Sequence, residues 1–292
     1  MRFSRTFEDK GAGPVGLRSQ ESGVGRGVEW QSDDTFQMGD VSFRTGVVNR
    51  FKSSSNHFML VKHPRMIVRY EALISTLHPR RIVELGICEG GSTAFFYLLA
   101  RPERLVAVDV KSSPTAGLEA FVNKHGLQDR VHTHYGFDQA DVSRLRQLVV
   151  NEFAREQIDL VVDDASHLLG PTRASFNVLF PLLRPGGVFV IEDWSAEHRL
   201  EVGLRALEQS DQTVRATLEE HVRSGRPAAT PLSVLVFELV LASAYAPELF
   251  TEIVVADGWA HVVRGPGDAD PETFDLSRMY SDVARALIGG AT

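Results

Sequence analysis

The chain has 292 residues, of which 43% are hydrophobic and 24% are charged, a composition typical of a globular protein. Its net charge of -7 argues against nucleic acid as a partner, because phosphate binding needs clustered lysine and arginine. The one cysteine, Cys88, excludes an intramolecular disulfide and a metal site built from cysteines, and it favours a reducing, cytoplasmic location.

Membrane association is not expected from the sequence. The N-terminal residues lack the apolar core of a signal peptide, and the longest apolar stretch, 232–245, is shorter than a membrane span and contains Glu238. We therefore expect a soluble protein without a membrane partner.

Residues 1–45 form the first segment and are rich in glycine, serine and charged residues. They offer little apolar surface to a core, so we expect a flexible N-terminal arm, either solvated or ordered only by a partner or ligand. The stretch from His63 to Pro79 then places apolar residues at helical spacing and ends where proline prevents continuation. It predicts an amphipathic helix near the start of one large domain, residues 46–292.

From residue 81 to residue 194, short β-branched runs alternate with helical patterns. Continuous apolar strands separated by crossover helices are typical of a parallel sheet that is covered on both faces. The pattern predicts a doubly wound α/β fold. In such folds ligands bind beyond the carboxyl ends of the strands, so residues at those ends are the first candidates for function.

The pattern changes after Trp194. Residues 195–245 read as charged and then apolar helices, which we interpret as a helical insertion that could close over a large substrate. The apolar helix at 232–245 is a candidate contact between subunits of a homo-oligomer, although core packing explains it equally well. Asp257 and Gly258 then join two β-rich runs and predict an antiparallel hairpin.

A glycine-containing loop follows the first strand of the α/β region, in the sequence VELGICEGGST at 83–93. Glycines let the backbone approach a ligand closely, and the following helix offers free N–H groups at its N-terminus. The spacing departs from the dinucleotide pattern G-x-G-x-x-G, because Cys88 occupies the place of the second glycine. NAD is therefore a weaker candidate than another ligand that bears oxygen atoms.

Two later strands end in polar residues that suit a nucleoside. Asp109 ends the second strand, where a carboxylate can accept hydrogen bonds from ribose hydroxyls. Asp138 and Gln139 follow the third strand, at the position expected for an adenine edge. The sequence thus predicts a nucleoside site at this edge of the sheet.

With these residues the sequence resembles the class I S-adenosylmethionine-dependent methyltransferases over roughly residues 60–265. The likeness rests on Glu84 before the glycine loop, on Asp109, on Asp138 with Gln139, and on the terminal hairpin. It implies a mostly parallel seven-stranded sheet with an antiparallel edge strand, helices on both faces, and S-adenosyl-L-methionine as cofactor. The candidate cofactor-binding residues are Glu84, Gly86, Gly90, Ser92, Asp109, Asp138, Gln139 and Asp163. A noncatalytic α/β domain would also show glycine loops and acids at strand ends.

Carboxylates also end the fourth and fifth strands. DLVVDDA places Asp164 at one carboxyl end, and VFVIEDW places Glu192 and Asp193 at the next. Three carboxylates in one crevice repel one another unless a cation lies between them, and carboxylate oxygens are ligands that Mg²⁺ prefers. We therefore predict that Asp164, Glu192 and Asp193 bind Mg²⁺ or another divalent cation, with open positions for a vicinal diol.

His167 lies three residues beyond Asp164. Methyl transfer to an alcohol needs a base that removes the hydroxyl proton, and a histidine is mostly neutral at physiological pH. A single histidine is more often structural, but its place beside these carboxylates favours catalysis. We predict that His167 is the general base.

The segments DDASH and IEDW resemble those of the metal-dependent macrocin and mycinamicin sugar O-methyltransferases and their cephalosporin-hydroxylase-like relatives. The resemblance implies that the methyl acceptor is a hydroxyl on a deoxysugar of a glycosylated secondary metabolite. Catechol O-methyltransferases are similar in layout, but they carry lysine in the place of His167 and asparagine in the place of Asp193. An oxidative or accessory protein and a noncatalytic nucleoside-binding subunit are the alternatives from other classes.

Overall fold

The computed structural model describes residues 27–46, 52–154, 156–198 and 230–289. Strands and helices alternate from residue 81 to residue 192, as the sequence predicts. In chain order the elements are β1 (Glu29–Trp30), β2 (Thr35–Met38), β3 (Val41–Thr45), β4 (His57–Leu60), α1 (Pro64–Leu77), β5 (Arg81–Leu85), α2 (Gly91–Ala100), β6 (Arg104–Asp109), α3 (Ala116–Lys124), β7 (Val131–Tyr135), α4 (Val142–Phe153), β8 (Ile158–Asp163), α5 (Leu169–Leu179), β9 (Leu183–Glu192), α6 (Ser233–Tyr245), β10 (Phe250–Ala256), β11 (Trp259–Arg264) and α7 (Asp282–Gly289).

The main sheet has seven strands in the order β10-β11-β9-β8-β5-β6-β7. Neighbouring strands from β9 to β7 are parallel, whereas β11 pairs antiparallel with both β9 and β10. The predicted doubly wound fold with a terminal antiparallel hairpin is confirmed. Within that hairpin the antiparallel strand is β11, one place inside the edge that β10 forms.

Helices cover both faces of this sheet because strand residues alternate between two buried clusters. In β8, Val161 belongs to the cluster under α4, α5 and α6, whereas Leu160 and Val162 belong to the cluster under α1, α2 and α3. Burial on both faces explains why this run has no polar side. The carboxyl end of each strand is then the place where polar side chains can meet a ligand.

Residues 29–60 contain a second, four-stranded sheet in the order β1-β2-β3-β4, which the sequence does not predict. Phe36 and Phe43 are fully buried, stack with ring centroids 4.9 Å apart, and contact Phe95 of α2. The arm predicted as flexible therefore forms strands in its described part, and residues 1–26 lie outside the described residues. These strands are short, and glycine, serine and charged residues surround their alternate apolar side chains in the sequence. The composition of the segment therefore does not indicate that it contributes to a core.

Helix α6 is the main described element of the predicted insertion, since residues 199–229 lie outside the described residues. Glu238 is buried on this otherwise apolar helix. Arg173 donates to both of its oxygens and the Tyr280 hydroxyl donates to Oε1, which explains how the carboxylate is tolerated there. None of the helices in the described ranges is long and apolar enough to cross a membrane. The roles of the insertion as a lid and of α6 as a subunit contact stay predictions.

Candidate active site

The carboxyl ends of the central strands bring the predicted site residues to one edge of the main sheet. β8 lies between β5 and β9, and their registers pair Leu85 with Asp163 and Asp163 with Ile191. The residues that follow these paired positions therefore lie side by side. They are Gly86, Asp164, Glu192 and Asp193.

Two glycines of the loop are needed by the protein's own backbone. Gly86 has a φ of +99°, and a Cβ there would lie 2.3 Å from the carbonyl oxygen of Asp164. A Cβ on Gly91 would lie 2.0 Å from the carbonyl oxygen of Met59 in β4. Close packing of chain segments thus accounts for these glycines without a ligand. Cys88 has a φ of 50° and so adopts the left-handed conformation that glycine prefers.

The carboxylate of Asp109 shapes the same loop. Its Oδ2 accepts hydrogen bonds from the N–H groups of Ile87 and Cys88 at 2.9 and 2.8 Å, and its Oδ1 accepts one from the N–H of Lys111 at 2.8 Å. A carboxylate oxygen can accept two hydrogen bonds, so Oδ1 has room for one further donor. The site therefore suits one ribose hydroxyl rather than both, and that contact stays a prediction.

A cavity of about 490 Å³ opens beside the loop, a volume that suits a small ligand. Its walls include the apolar side chains of Phe137, Leu168 and Pro171. The predicted cofactor residues divide evenly between its lining and its surroundings. Those in the lining are Gly86, Asp109, Asp138 and Gln139, and those outside it are Glu84, Gly90, Ser92 and Asp163.

Glu84 binds helix α2 instead of lining the cavity. Its side chain is 1% exposed and accepts a hydrogen bond from the Thr93 hydroxyl at 2.6 Å. Burial raises its pKa to about 7, and hydrogen bonds from Ser92 and Thr93 oppose the shift. Gly90 is the N-cap of the same helix. Gly90 and Ser92 thus lie at the start of α2, and Glu84 of β5 holds that helix through Thr93. The cofactor contacts of Glu84, Gly90 and Ser92 stay predictions.

A hydrogen-bonded clamp, formed by Asp163, Gln139 and Ser166, holds the segment that carries His167. Gln139 Nε2 donates to Asp163 Oδ2 at 2.9 Å, and the Ser175 hydroxyl donates to the same oxygen at 2.8 Å. Gln139 Oε1 accepts from the N–H of Ser166 at 3.0 Å. Burial raises the pKa of Asp163 to about 6, and the hydrogen bond from Ser175 opposes the shift. Asp163 therefore bonds to Gln139, which lines the cavity, and its own cofactor contact stays a prediction.

Within the described ranges, Asp164, His167 and Asp193 form a group that could hold a metal ion, because one ligand atom from each lies within 4.8 Å of the others. His167 Nε2 lies 3.1 Å from Asp164 Oδ1. Burial lowers the pKa of His167, but the adjacent Asp164 carboxylate outweighs it and raises that pKa above the usual value. Carboxylate and imidazole donors suit a divalent cation.

Backbone conformation marks the same group. His167 and Asp193 have φ angles of 56° and 51°, in the left-handed region that residues other than glycine seldom adopt. Apart from Cys88, the other non-glycine residues with positive φ in the described part of the chain are helix C-caps. Strained conformations away from helix ends are concentrated at functional sites, so the two angles support a function for this group.

Glu192 lies outside this group, although the sequence predicts it as a metal ligand. Its Oε1 accepts hydrogen bonds from the Lys62 ammonium at 2.6 Å and from the Tyr70 hydroxyl. Lys62 Nζ also donates to Asp164 Oδ2 at 2.8 Å. Burial and the nearby Asp164 raise the pKa of Glu192 to about 7, and Lys62 opposes the shift. The predicted carboxylate set is thus divided, with Asp164 and Asp193 at the candidate metal position and Glu192 against a lysine.

Lys62 is the main site residue that the sequence does not predict. Its side chain is 1% exposed, and although burial opposes its charge, the carboxylates of Asp164 and Glu192 raise its pKa above the usual value. Burial alone would raise the pKa of Asp164, but Lys62 and His167 hold it below the usual value. The sequence signal that could have indicated this residue is a lysine between the mostly apolar run HFMLV and a predicted helix. Nothing local places that lysine at the strand ends of another sheet.

Comparison with known proteins agrees with this architecture. Residues 83–194 match a family model described as a methyltransferase domain. The chain is 38% identical over 127 residues to the 8-demethyl-8-(2-methoxy-alpha-L-rhamnosyl)-tetracenomycin-C 3'-O-methyltransferase of Streptomyces olivaceus, which is 40% of this chain and 29% of that protein. It is 41% identical over 81 residues to the demethylmacrocin O-methyltransferase of Streptomyces fradiae, which is 27% of this chain and 20% of that protein. The chain thus spans less than a third of the length of either relative.

A solved structure of the MycE methyltransferase from the mycinamycin biosynthetic pathway, in complex with Mg, SAH and mycinamycin VI, is also similar. It has a TM-score of 0.47 and 22% identity, and the match covers 72% of this chain and 53% of that chain. A likeness of this size adds nothing about function. Residues 83–194 thus match the model of a methyltransferase domain, and the seven-stranded sheet has the mostly parallel order with an antiparallel hairpin that the sequence predicts.

Proposed function

We propose that this chain transfers a methyl group from S-adenosyl-L-methionine to a hydroxyl of a glycosylated small molecule, with a divalent cation at the acceptor. The observation that carries the proposal is the double role of Asp164, which lines the cavity of about 490 Å³ and also belongs to the group with His167 and Asp193. A methyl donor in the cavity and a hydroxyl at that group would meet beside one carboxylate.

The cavity offers the kinds of contact that a nucleoside needs. Phe137 and Leu168 supply apolar walls, and Asp109 Oδ1 can accept from a ribose hydroxyl. Asp138 lines the cavity with an exposed carboxylate that can accept from an adenine amino group. When bound, S-adenosyl-L-methionine supplies an electrophilic methyl group on a positively charged sulfur.

Asp164 and Asp193 fit a divalent cation such as Mg²⁺. Protein sites often hold this ion through one or two carboxylates, and water and substrate oxygens occupy the remaining positions. The ion would lower the pKa of a bound hydroxyl. Two adjacent hydroxyls of a sugar suit a site of this kind.

In this proposal His167 takes the hydroxyl proton. When the neutral ring carries its proton on Nε2, that N–H donates to Asp164 Oδ1 and Nδ1 is left as the acceptor. As the hydroxyl oxygen forms its bond to the methyl carbon, the carbon–sulfur bond breaks, its electron pair stays on sulfur, and the proton passes to His167. The products are a methyl ether, a neutral thioether and a protonated histidine. A role for His167 as a metal ligand is the alternative that the same geometry allows.

The acceptor class comes from the relatives. One is named for a rhamnosyl tetracenomycin and another for demethylmacrocin. Because this chain spans less than a third of either protein, a deoxysugar hydroxyl on a polyketide or a comparable metabolite is our proposal for this chain.

Incubation with isotope-labelled S-adenosyl-L-methionine, Mg²⁺ and a panel of rhamnosylated metabolites tests the proposal. We expect a product in which a labelled methyl group has replaced one hydroxyl hydrogen. A gain of one oxygen atom would indicate hydroxylation, the reaction of the cephalosporin-hydroxylase-like alternative. Methylation of catechols but of no sugar would favour a catechol-type enzyme. Cofactor binding without any product would indicate a noncatalytic subunit.

A further inference from the structure

Lys62 links the small N-terminal sheet to the candidate metal site. It lies just beyond β4, and its ammonium contacts Asp164 Oδ2 at 2.8 Å and Glu192 Oε1 at 2.6 Å. With 1% of its side chain exposed, it has exchanged water for these two carboxylates. The lysine therefore belongs to the electrostatics of the site, although it lies outside the matched methyltransferase domain.

The surroundings hold this ammonium in place. The ring centroids of Tyr70 and Phe96 lie 5.8 and 5.9 Å from Nζ, distances at which an aromatic ring attracts a cation. Tyr70 also donates its hydroxyl to Glu192 Oε1, so one carboxylate oxygen has two donors. Lys62 and Glu192 thus form an enclosed ion pair, in which removal of the lysine would leave the buried carboxylate of Glu192 without a counter-ion.

Asp164 divides its two oxygens between Lys62 and the candidate metal position. Oδ2 accepts from Lys62, whereas Oδ1 lies 3.1 Å from His167 Nε2. Because the ammonium holds Oδ2, the direction of Oδ1 is set as well. The sequence predicts that a metal relieves the repulsion between Asp164 and Glu192, but in the structure a lysine already relieves it.

We propose that Lys62 is a positioning residue of the candidate metal site. It keeps Glu192 as its own counter-ion and aims Asp164 Oδ1 at a divalent cation that Asp164 and Asp193 bind without Glu192. The inference rests on the metal site of the proposed function, and it assigns different tasks to carboxylates that the sequence pattern presents as one set.

Binding of Mn²⁺, followed by electron paramagnetic resonance without cofactor or acceptor, separates metal ligands from the partner of Lys62. Glu192→Gln keeps an oxygen for the ammonium, and we expect it to change the Mn²⁺ dissociation constant by less than about threefold. Asp193→Asn is the matched control at the next residue, and we expect it to weaken binding by roughly tenfold or more. An equal loss of affinity in both variants would overturn the proposal.

Lys62→Met tests the lysine itself. We expect the metal-free variant to melt at a lower temperature than the wild type, because the carboxylates lose their counter-ion. Mn²⁺ should then raise the melting temperature more in the variant than in the wild type, since Glu192 becomes free to ligate. Adding Glu192→Gln to Lys62→Met should recover much of the loss. Equal losses with and without Mn²⁺, or no recovery in the double variant, would show a packing role only and overturn the proposal.

If Lys62→Met does not fold, the Mn²⁺ titrations of Glu192→Gln and Asp193→Asn still decide. Methyl transfer by the wild type is measured separately, so the two proposals fail in different ways. Absence of methylated product, with Glu192→Gln binding Mn²⁺ like the wild type, would overturn the proposed function and support the role of Lys62. Methylation by a wild-type protein that binds no Mn²⁺ would overturn the role of Lys62.

Discussion

Gln139 donates from Nε2 to the buried carboxylate of Asp163 at 2.9 Å, and its Oε1 accepts from the N–H of Ser166 at 3.0 Å. One amide thus ties the end of β8 to the segment that leads to His167. The sequence predicts Gln139 as a contact for adenine, yet both ends of its amide are engaged by the protein. The cavity that Gln139 lines and the group of Asp164, His167 and Asp193 are therefore joined through this clamp.

Gln139→Ala should lower both stability and methyl transfer. It removes a donor from Asp163 and leaves the Ser166 N–H without its acceptor, a loss on the order of 1–3 kcal/mol in the free energy of unfolding. Denaturant unfolding and steady-state kinetics measure the two effects. Gln128→Ala, at an exposed glutamine, is the matched control and should change neither quantity. An unchanged free energy of unfolding in Gln139→Ala would contradict the clamp.

Glu84 should make the free energy of unfolding decrease as pH rises. Burial raises its pKa to about 7 in the folded protein from a usual value of 4.5. Between these two pH values Glu84 keeps a proton in the folded protein that it has released in the unfolded chain. Because folding then opposes its ionisation, the free energy of unfolding falls by about 3 kcal/mol in total as pH rises through this range. The effect is absent at low pH and complete above about pH 7.

Thermal melting of the wild type and Glu84→Gln from about pH 5 to about pH 8 checks this prediction. Glutamine keeps an acceptor for the Thr93 hydroxyl but cannot ionise, so the wild type should lose melting temperature relative to the variant across this range. Glu119→Gln, at an exposed position of α3, is the control and should run parallel to the wild type. Parallel curves for Glu84→Gln and the wild type would show that the carboxyl is already ionised.

His167→Ala should reduce turnover by roughly 10²–10⁴-fold while cofactor affinity stays unchanged, because a positioned base is lost. His78→Ala is the matched control, since His78 is exposed and also has a positive φ, 48° against 56° at His167. Mn²⁺ affinity separates the two roles of His167. An unchanged affinity indicates a base, and an affinity that falls with turnover indicates a ligand. Turnover near that of the wild type would remove His167 from the mechanism.

Gly86→Ala should destabilise the protein by more than backbone strain alone. A Cβ at Gly86 would lie 2.3 Å from the Asp164 carbonyl oxygen, so β5 and β8 would have to separate at the site. Gly126→Ala is the control, because Gly126 has a φ of +62° with nothing within 4 Å of its Cβ position. It should cost about 1 kcal/mol in the free energy of unfolding. Equal costs for the two variants in denaturant unfolding would contradict the close approach.

Chelation by EDTA should abolish methyl transfer, and added Mg²⁺ should restore it. The fold should survive, because Lys62 already compensates the buried carboxylates of Asp164 and Glu192 without a metal. Activity assays and circular dichroism on the same samples measure the two effects. Full activity in EDTA would remove the metal from the proposed function.

The main fold could be predicted because its central strands are buried on both faces. Runs such as Leu160–Val162 have no polar side, and their alternation with helices leaves a parallel sheet as the arrangement that buries them. The placement of Asp109 and Asp164 at one edge follows from that geometry. The N-terminal sheet was not predicted, because its strands are short and buried residues such as Phe36 are surrounded in sequence by glycine and charge.

The partners of the carboxylates could not be predicted in the same way. Glu192 ends β9 in extended conformation, whereas Asp193 turns into the left-handed region with a φ of 51°, so adjacent carboxylates meet different neighbours. Lys62 reaches Glu192 across a sequence separation of 130 residues. Both relations arise from tertiary packing, and the local pattern of charges contains neither.

The region that matches the family model begins at Val83, after Lys62 and Tyr70. A fragment trimmed to that region would keep the acids at the strand ends and discard the ammonium and the hydroxyl that bind Glu192. The charged and hydrogen-bonding groups of this site therefore extend beyond the region that matches the family model. Transplanting the matched region into another protein would carry over an unbalanced set of charges unless the host supplied a cation at the same point.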